Sequence, residues 1–170
     1  MRKLLLLLTC MLSISCYAQH LQFQGIPIDS TTEYMEGRIV EKGWVVSVTK
    51  TPHGHKLFSG QFVGYRAYVV IGSYKNLVYS VVVTGAKPDG KFEAKSAALN
   101  IISLFEKKYE TTAVEEEPDR NYNVFWRTIN TNEGYVAVGV TETKEGCVWS
   151  VNYVDTKNYE KIKSLIMDDL

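Results

Sequence analysis

The chain has 170 residues, with 19 basic and 19 acidic side chains and a formal net charge of zero at pH 7. This balance provides no basic stripe of the kind that nucleic-acid binding needs, so we expect no nucleic-acid partner. A chain of this length forms about one domain and can bury a core without disulfide bonds.

The N-terminus has the pattern of a secretory signal peptide. Two basic residues precede the apolar run Leu4–Ile14, which is shorter than the roughly 20 residues of a membrane-spanning helix. Small residues near the end of this segment predict cleavage between Ala18 and Gln19. We therefore predict a signal peptide over residues 1–18. The mature chain, residues 19–170, is then periplasmic or secreted and has no transmembrane segment.

The cysteines give one alternative to this cleavage, which is a lipid anchor on Cys16. Ser13 stands where lipoprotein signals usually have leucine, and this favours cleavage. Removal of the signal peptide takes Cys10 and Cys16 with it and leaves Cys147 alone. No intrachain disulfide can then form.

The first structural unit, residues 25–88, begins with a helix and continues as strands. Ser30 and Glu33 have the spacing of a capping box, and Gly43 is typical of a helix end, so the pattern predicts a helix over 31–42. After this helix, β-favouring residues alternate with a period of two, which predicts strands. The predicted strands are 44–49, 58–63, 65–71 and 77–84.

The second unit, residues 89–155, repeats this order. Its helix, Lys91–Tyr109, has an apolar stripe at steps of three and four residues, as expected of a helix that lies on a sheet. A polar, acidic connection over 111–121 follows. Asp155 is placed to cap a terminal helix over 156–169. The predicted strands of this unit are 122–129, 135–142 and 147–154.

The two units also share a short stretch of sequence. Val78–Val81 aligns with Val148–Val151, and each stretch follows a hairpin turn and precedes a new helix. We predict an internal repeat and an α+β fold. In this fold two α-β-β-β units form one antiparallel sheet with helices on one face, followed by a C-terminal helix. No linker rich in proline, glycine or serine separates the units, which predicts a single domain.

Two groups of residues have some features of metal sites. His53 and His55 lie one residue apart, but the adjacent Pro52 and Gly54 favour a solvated loop. Glu115, Glu116, Glu117 and Asp119 lack the spacing and the glycine of a calcium loop, which favours a charged, flexible connection. We predict no metal and no cofactor.

Cys147 is the candidate nucleophile. It shares a strand face with Trp149, Val151 and Tyr153, which favours a buried structural thiol. The sequence has no serine-centred elbow, phosphate loop, zinc-protease helix or dinucleotide fingerprint. No residue therefore favours catalysis.

The aromatic residues point to binding instead. The chain has 11 tyrosines and 3 tryptophans, and several of them alternate along the predicted strands. One face of the sheet should pack on the helices, and the open face should then present aromatic and polar side chains to a partner. The residues that we assign to this binding face are Tyr68, Ser80, Arg127, Ser150 and Asn152.

Four stretches carry a resemblance to known proteins: Leu21–Asp29, Glu41–Trp44, Lys107–Tyr109 and Val151–Asp155. They resemble turns and helix ends in a group of small exported proteins of unknown function from Gram-negative gut-type bacteria. That group usually has glycine after the Lys-Tyr helix end, where this chain has Glu110. The order of elements is also similar to the tandem-repeat fold of β-lactamase inhibitor proteins, an architectural similarity that does not carry function.

These patterns predict an exported, non-enzymatic binding module whose partner is another envelope or extracellular protein. There are two alternatives. One is a small envelope hydrolase with a site assembled from scattered polar residues. The other is a structural envelope protein anchored by a lipid on Cys16. The patterns leave open the ligand, the oligomeric state, and the choice between the periplasm and the cell exterior.

Overall fold

The structure is a computed structural model that describes residues 20–51, 55–109, 114–117 and 123–168. For residues 49–50, 114–117, 123–124 and 168 it describes the backbone alone. The predictions that concern the signal peptide, Cys16, His53 and Asp119 lie outside the described residues.

The described part of the chain contains three helices and ten strands. In chain order they are β1 (Gln22–Phe23), β2 (Ile26–Pro27), α1 (Thr32–Glu41), β3 (Val45–Lys50), β4 (Lys56–Phe62), β5 (Tyr65–Tyr74), β6 (Leu77–Gly85), α2 (Lys91–Tyr109), β7 (Val114–Glu117), β8 (Asn123–Asn130), β9 (Gly134–Thr143), β10 (Gly146–Asp155) and α3 (Thr156–Asp168). Strands β1 and β2 form a small hairpin, and the other eight form one sheet. The predicted α+β class is confirmed.

The two units meet at the centre of this sheet. The strand order is β3-β4-β5-β6-β10-β9-β8-β7, and every neighbouring pair is antiparallel. The order is therefore symmetric about the β6–β10 pair, in which Val82 lies opposite Asn152. In the sequence repeat, Val78 aligns with Val148 at an offset of 70 residues. The same offset relates Val82 to Asn152, which are paired in the sheet.

Each unit contributes four strands to the sheet. The sequence analysis assigned four strands to the first unit and three to the second, although it described both as α-β-β-β units. The additional strand of the second unit lies in the acidic stretch, which was predicted to be a connection. Val114–Glu117 instead forms β7 and pairs with β8 at the edge of the sheet. An edge strand tolerates charged side chains because one side of it faces water.

The cap of α1 was also misplaced by one residue, because the Thr31 hydroxyl, and not that of Ser30, accepts the Tyr34 N–H.

Helices α1 and α2 pack on one side of the sheet, here called the inner face. Residues opposite each other in an antiparallel sheet point to the same side, and Val83, Val151 and Tyr153 share this face and are at most 2% exposed. Phe105 of α2 contacts the Tyr153 ring edge to face, with ring centroids 5.7 Å apart. Ile101 of α2 is also fully buried, so the predicted stripe does cover the sheet.

Helix α3 packs on the opposite side, here called the outer face. Its Tyr159 ring lies 6.0 Å from the Tyr79 ring of β6. Ala137 and Val154 on the outer face and Ile162 of α3 are buried but do not belong to the main core, because the sheet separates them from it. The sequence analysis placed the helices of the two units on one face and assigned no face to the C-terminal helix, which lies on the other side of the sheet.

Hydrogen bonds fix the start of α3 to distant parts of the chain. As predicted, Asp155 caps the helix, because its Oδ1 accepts the Asn158 N–H at 2.9 Å. The Asn158 side-chain amide donates to the carbonyl oxygens of Ile28, at 3.0 Å, and Val78, at 2.9 Å. His20 Nδ1 lies 2.9 Å from the second Asp155 oxygen. Helix α3 is thus tied to both β6 and the N-terminal segment.

Replacing Asn158 with alanine should destabilise the protein by about 2–4 kcal/mol, since each buried carbonyl left without a donor costs about 1–3 kcal/mol. Urea unfolding measures the change. The neighbouring exposed substitution Lys157→Ala should stay within about 0.5 kcal/mol of the wild type. Equal unfolding midpoints for the two variants would show that the amide does not hold α3.

All three tryptophans lie over a glycine of a neighbouring strand. A Cβ atom placed on any of these glycines would approach an indole ring to between 2.3 and 2.9 Å. The sheet therefore accommodates the indoles only because these positions lack side chains. The pairs are Trp44 with Gly60, Trp126 with Gly139, and Trp149 with Gly85.

The substitution Gly85→Ala should lower the free energy of unfolding by about 1–3 kcal/mol, because the added methyl group overpacks a filled site. Gly37→Ala is the control, since nothing lies within 4 Å of a Cβ at this helical position. That change should raise stability by about 0.5–1 kcal/mol. Thermal unfolding of both variants distinguishes the two effects, and a stabilised Gly85→Ala protein would contradict the packing argument.

Candidate binding surface

Beyond α3, the outer face carries two rows of side chains that cross six strands. Register pairs define them, since each residue lies opposite the next one in the row. The Tyr68 row consists of Ser59, Tyr68, Thr84, Ser150, Gly139 and Trp126. The Asn152 row consists of Leu57, Val70, Val82, Asn152, Ala137 and Thr128.

Neither row contains a charged residue. All members are half-buried except Gly139 and Ala137, which are buried. The charged residues stand at the borders instead. The register places Glu117 and Glu115 of β7 at one end of the two rows, and the exposed Arg66 lies beside the Tyr68 row on β5. The surface thus has an uncharged centre with acidic positions of β7 at one end. At the other end, the exposed and apolar Val45 of β3 lies opposite Ser59.

Three of the five residues assigned to the binding face from the sequence lie in these rows: Tyr68, Ser150 and Asn152. Ser80 is on the outer face but is only 7% exposed, in the region that α3 covers, so its assignment to an open surface is wrong. Arg127 is on the inner face, opposite Val138, and its assignment is also wrong.

Arg127 has a structural role on the inner face. Its guanidinium lies 3.7 Å from a carboxylate oxygen of Glu106 on α2, and it also stacks near the Phe125 ring, 5.9 Å from the centroid. The residue therefore joins α2 to β8. Period-two alternation separates two strand faces but does not say which one the helices cover.

Two polar atoms of the outer face have no hydrogen-bond partner within the described residues. They are the Trp126 indole nitrogen, a donor, and Asn152 Oδ1, an acceptor. Buried polar groups without partners are rare in folded proteins and cost stability. Both atoms belong to residues of the rows defined above.

A cavity of about 880 Å³ adjoins the Tyr68 row. It lies where β4 ends and β5 begins, next to the end of β6. Ser59 and Tyr68 line one side, and Arg66, Lys87 and Trp149 contribute further side chains. No sequence motif indicated this cavity, because its residues come from five separate segments of the chain.

The structure also brings His20 between two carboxylates, an arrangement that no sequence pattern indicated. Its Nδ1 lies 2.9 Å from Asp155 and its Nε2 lies 3.6 Å from Asp29. Because both ring nitrogens face carboxylates, neither is free to act on a substrate. We interpret the histidine as a structural link between the N-terminal segment and α3.

No catalytic constellation stands out elsewhere in the described ranges. They contain no group of three His, Cys, Asp or Glu side chains that could hold a metal ion, and His55 is exposed in its loop.

Burial, with a smaller contribution from Tyr109, raises the pKa of the Tyr153 hydroxyl well above its usual value. That residue belongs to the core between α2 and the sheet. None of the described helices is both long and apolar enough to cross a membrane.

Comparisons with protein-family models, with curated proteins and with solved structures find no match for this chain. The resemblance to small exported proteins and to the β-lactamase inhibitor fold therefore stays a prediction. Any functional assignment depends on the surface itself.

Cys147 is free and only 6% exposed, on the inner-face side of β10, as predicted for a structural thiol. We expect it to resist thiol labelling at neutral pH in the folded mature protein and to react at once in denaturant. Reaction with a chromogenic disulfide reagent, followed over time, measures both rates. Rapid labelling of the folded protein would contradict the burial argument.

Proposed function

We propose that the chain is an exported, non-enzymatic binding protein that holds another envelope or extracellular protein against the outer face of its sheet. Export is inferred from the signal-peptide pattern over residues 1–18. The single observation that carries the binding proposal is the absence of charge from the two outer-face rows across six strands.

This absence is unusual for a surface that only faces water. Surfaces of small domains commonly have about 25–35% charged residues of both signs. The centres of protein interfaces are instead depleted of charge and enriched in aromatic residues. The Tyr68 row combines Tyr68 and Trp126 with Ser, Thr and Gly, a composition close to that of antibody binding loops, whereas the Asn152 row is mostly aliphatic.

The dimensions of the surface favour a protein partner over a small substrate. Strands in a sheet lie about 4.8 Å apart, so rows across six strands are about 24 Å wide. An enzyme site would instead need a concave pocket in which titratable groups converge. The outer-face rows contain no such groups, which favours binding over the hydrolase alternative.

The symmetric strand order further supports an origin of the two units by duplication. In that case the outer face combines the corresponding faces of two similar units. The Val82–Asn152 pair then lies at their junction, near the middle of the proposed interface.

The substitution Ser150→Lys should abolish partner capture, because it places a positive charge in the middle of the uncharged centre. Quantitative pull-downs from envelope extract with the mature protein as bait measure the effect. Burial of an unpaired charge at an interface costs several kcal/mol. The amount of each wild-type partner that the variant captures should therefore fall at least about tenfold, since 1.4 kcal/mol corresponds to a tenfold change in affinity.

Ser96→Lys is the matched control, because it adds the same charge at an exposed position on α2. Arg127→Ala is a second control, since this residue lies on the inner face. Both should capture the same partners as the wild type. Undiminished capture by Ser150→Lys, or equal losses with Ser96→Lys, would refute the outer face as the binding surface.

A further inference from the structure

The cavity beside the Tyr68 row has the features of a second, smaller binding site. Its volume, about 880 Å³, is within the range of about 300–1,000 Å³ that ligand pockets occupy. Its lining combines glycine and alanine positions with a few polar side chains. This site differs in chemistry from the uncharged rows, because cationic side chains line it.

Three neighbouring strands carry small residues at one level of the cavity lining. Gly60, Ala67 and Gly85 lie opposite one another on β4, β5 and β6 and all line the cavity. The indole of Trp149 lies against Gly85, with Nε1 2.9 Å from the position that a Cβ would take. The Tyr65 ring supports the indole, with centroids 5.7 Å apart.

Hydrogen-bond donors dominate the polar groups of this cavity. Trp149 is only 3% exposed, and its indole N–H is a donor that lies next to Gly85. Arg66 and Lys87 are exposed and form no ion pair within the same ranges. Asp89 also lines the cavity, and its backbone pairs with that of Cys147. The lining therefore combines two cationic residues and a tryptophan with one acidic residue.

We propose that this cavity binds a small organic carboxylate with an apolar body. The carboxylate would pair with Arg66 and Lys87, since charge-assisted hydrogen bonds are the strongest that such a site can offer. Trp149, whose indole N–H is a further donor, lines the same cavity. The apolar body would lie against Trp149 and Tyr68.

Binding can be measured through the indole resonances in a two-dimensional proton–nitrogen NMR spectrum. The chain has three tryptophans, so three indole signals are expected, and conservative substitutions to phenylalanine assign them. Titration with naphthalene-2-carboxylate should shift the Trp149 signal saturably and leave the Trp126 signal in place. The neutral alcohol of the same ring system should bind at least about tenfold more weakly.

Arg66→Gln and Lys87→Gln should each weaken carboxylate binding by about tenfold without unfolding the protein, because both side chains are exposed. Lys107→Gln, which removes a cation on α2 that does not line the cavity, should have no effect. Three results would overturn the proposal. They are the absence of a Trp149 shift at about 5 mM carboxylate, equal affinity for the neutral alcohol, and equal effects of the three substitutions. The outer-face proposal is unaffected by these outcomes, since the Ser150→Lys pull-down tests it separately.

Discussion

The antiparallel pairing of β6 with β10 is the interaction on which the rest of the structure depends. It joins two four-stranded halves into one eight-stranded sheet. On its inner side, Val83, Val151 and Tyr153 are almost fully buried and form the centre of the core beneath α2. On its outer side the same pairing aligns Thr84 with Ser150. One register therefore creates both the core and the candidate binding surface.

The glycines opposite the tryptophans define a second constraint. Large indoles fit on this sheet because Gly60, Gly85 and Gly139 leave room for them. On the inner face the Trp149 indole extends the aromatic core through contacts with Phe62 and Tyr65. Gly60 and Gly85 also line the cavity at the end of the sheet, together with Trp149.

Much of the candidate surface was accessible from the sequence. Alternation of apolar and polar residues along strands selected Tyr68, Ser150 and Asn152, which do share the outer face. Alternation could not place Arg127, because the face that a strand turns toward the helices depends on its register with the next strand, and β8 and β9 have a register irregularity near Phe125. Nor could it reveal that Ser80 lies where α3 crosses the sheet.

The sequence by itself determined the helices, most of the strands and the buried state of Cys147, because these depend on periodicity and capping within short segments. Tertiary structure alone decided that the acidic stretch at Val114–Glu117 becomes an edge strand and that α3 covers part of the outer face. It also decided which residues form the cavity. These features depend on contacts between residues far apart in the chain, and local patterns carry no information about such contacts.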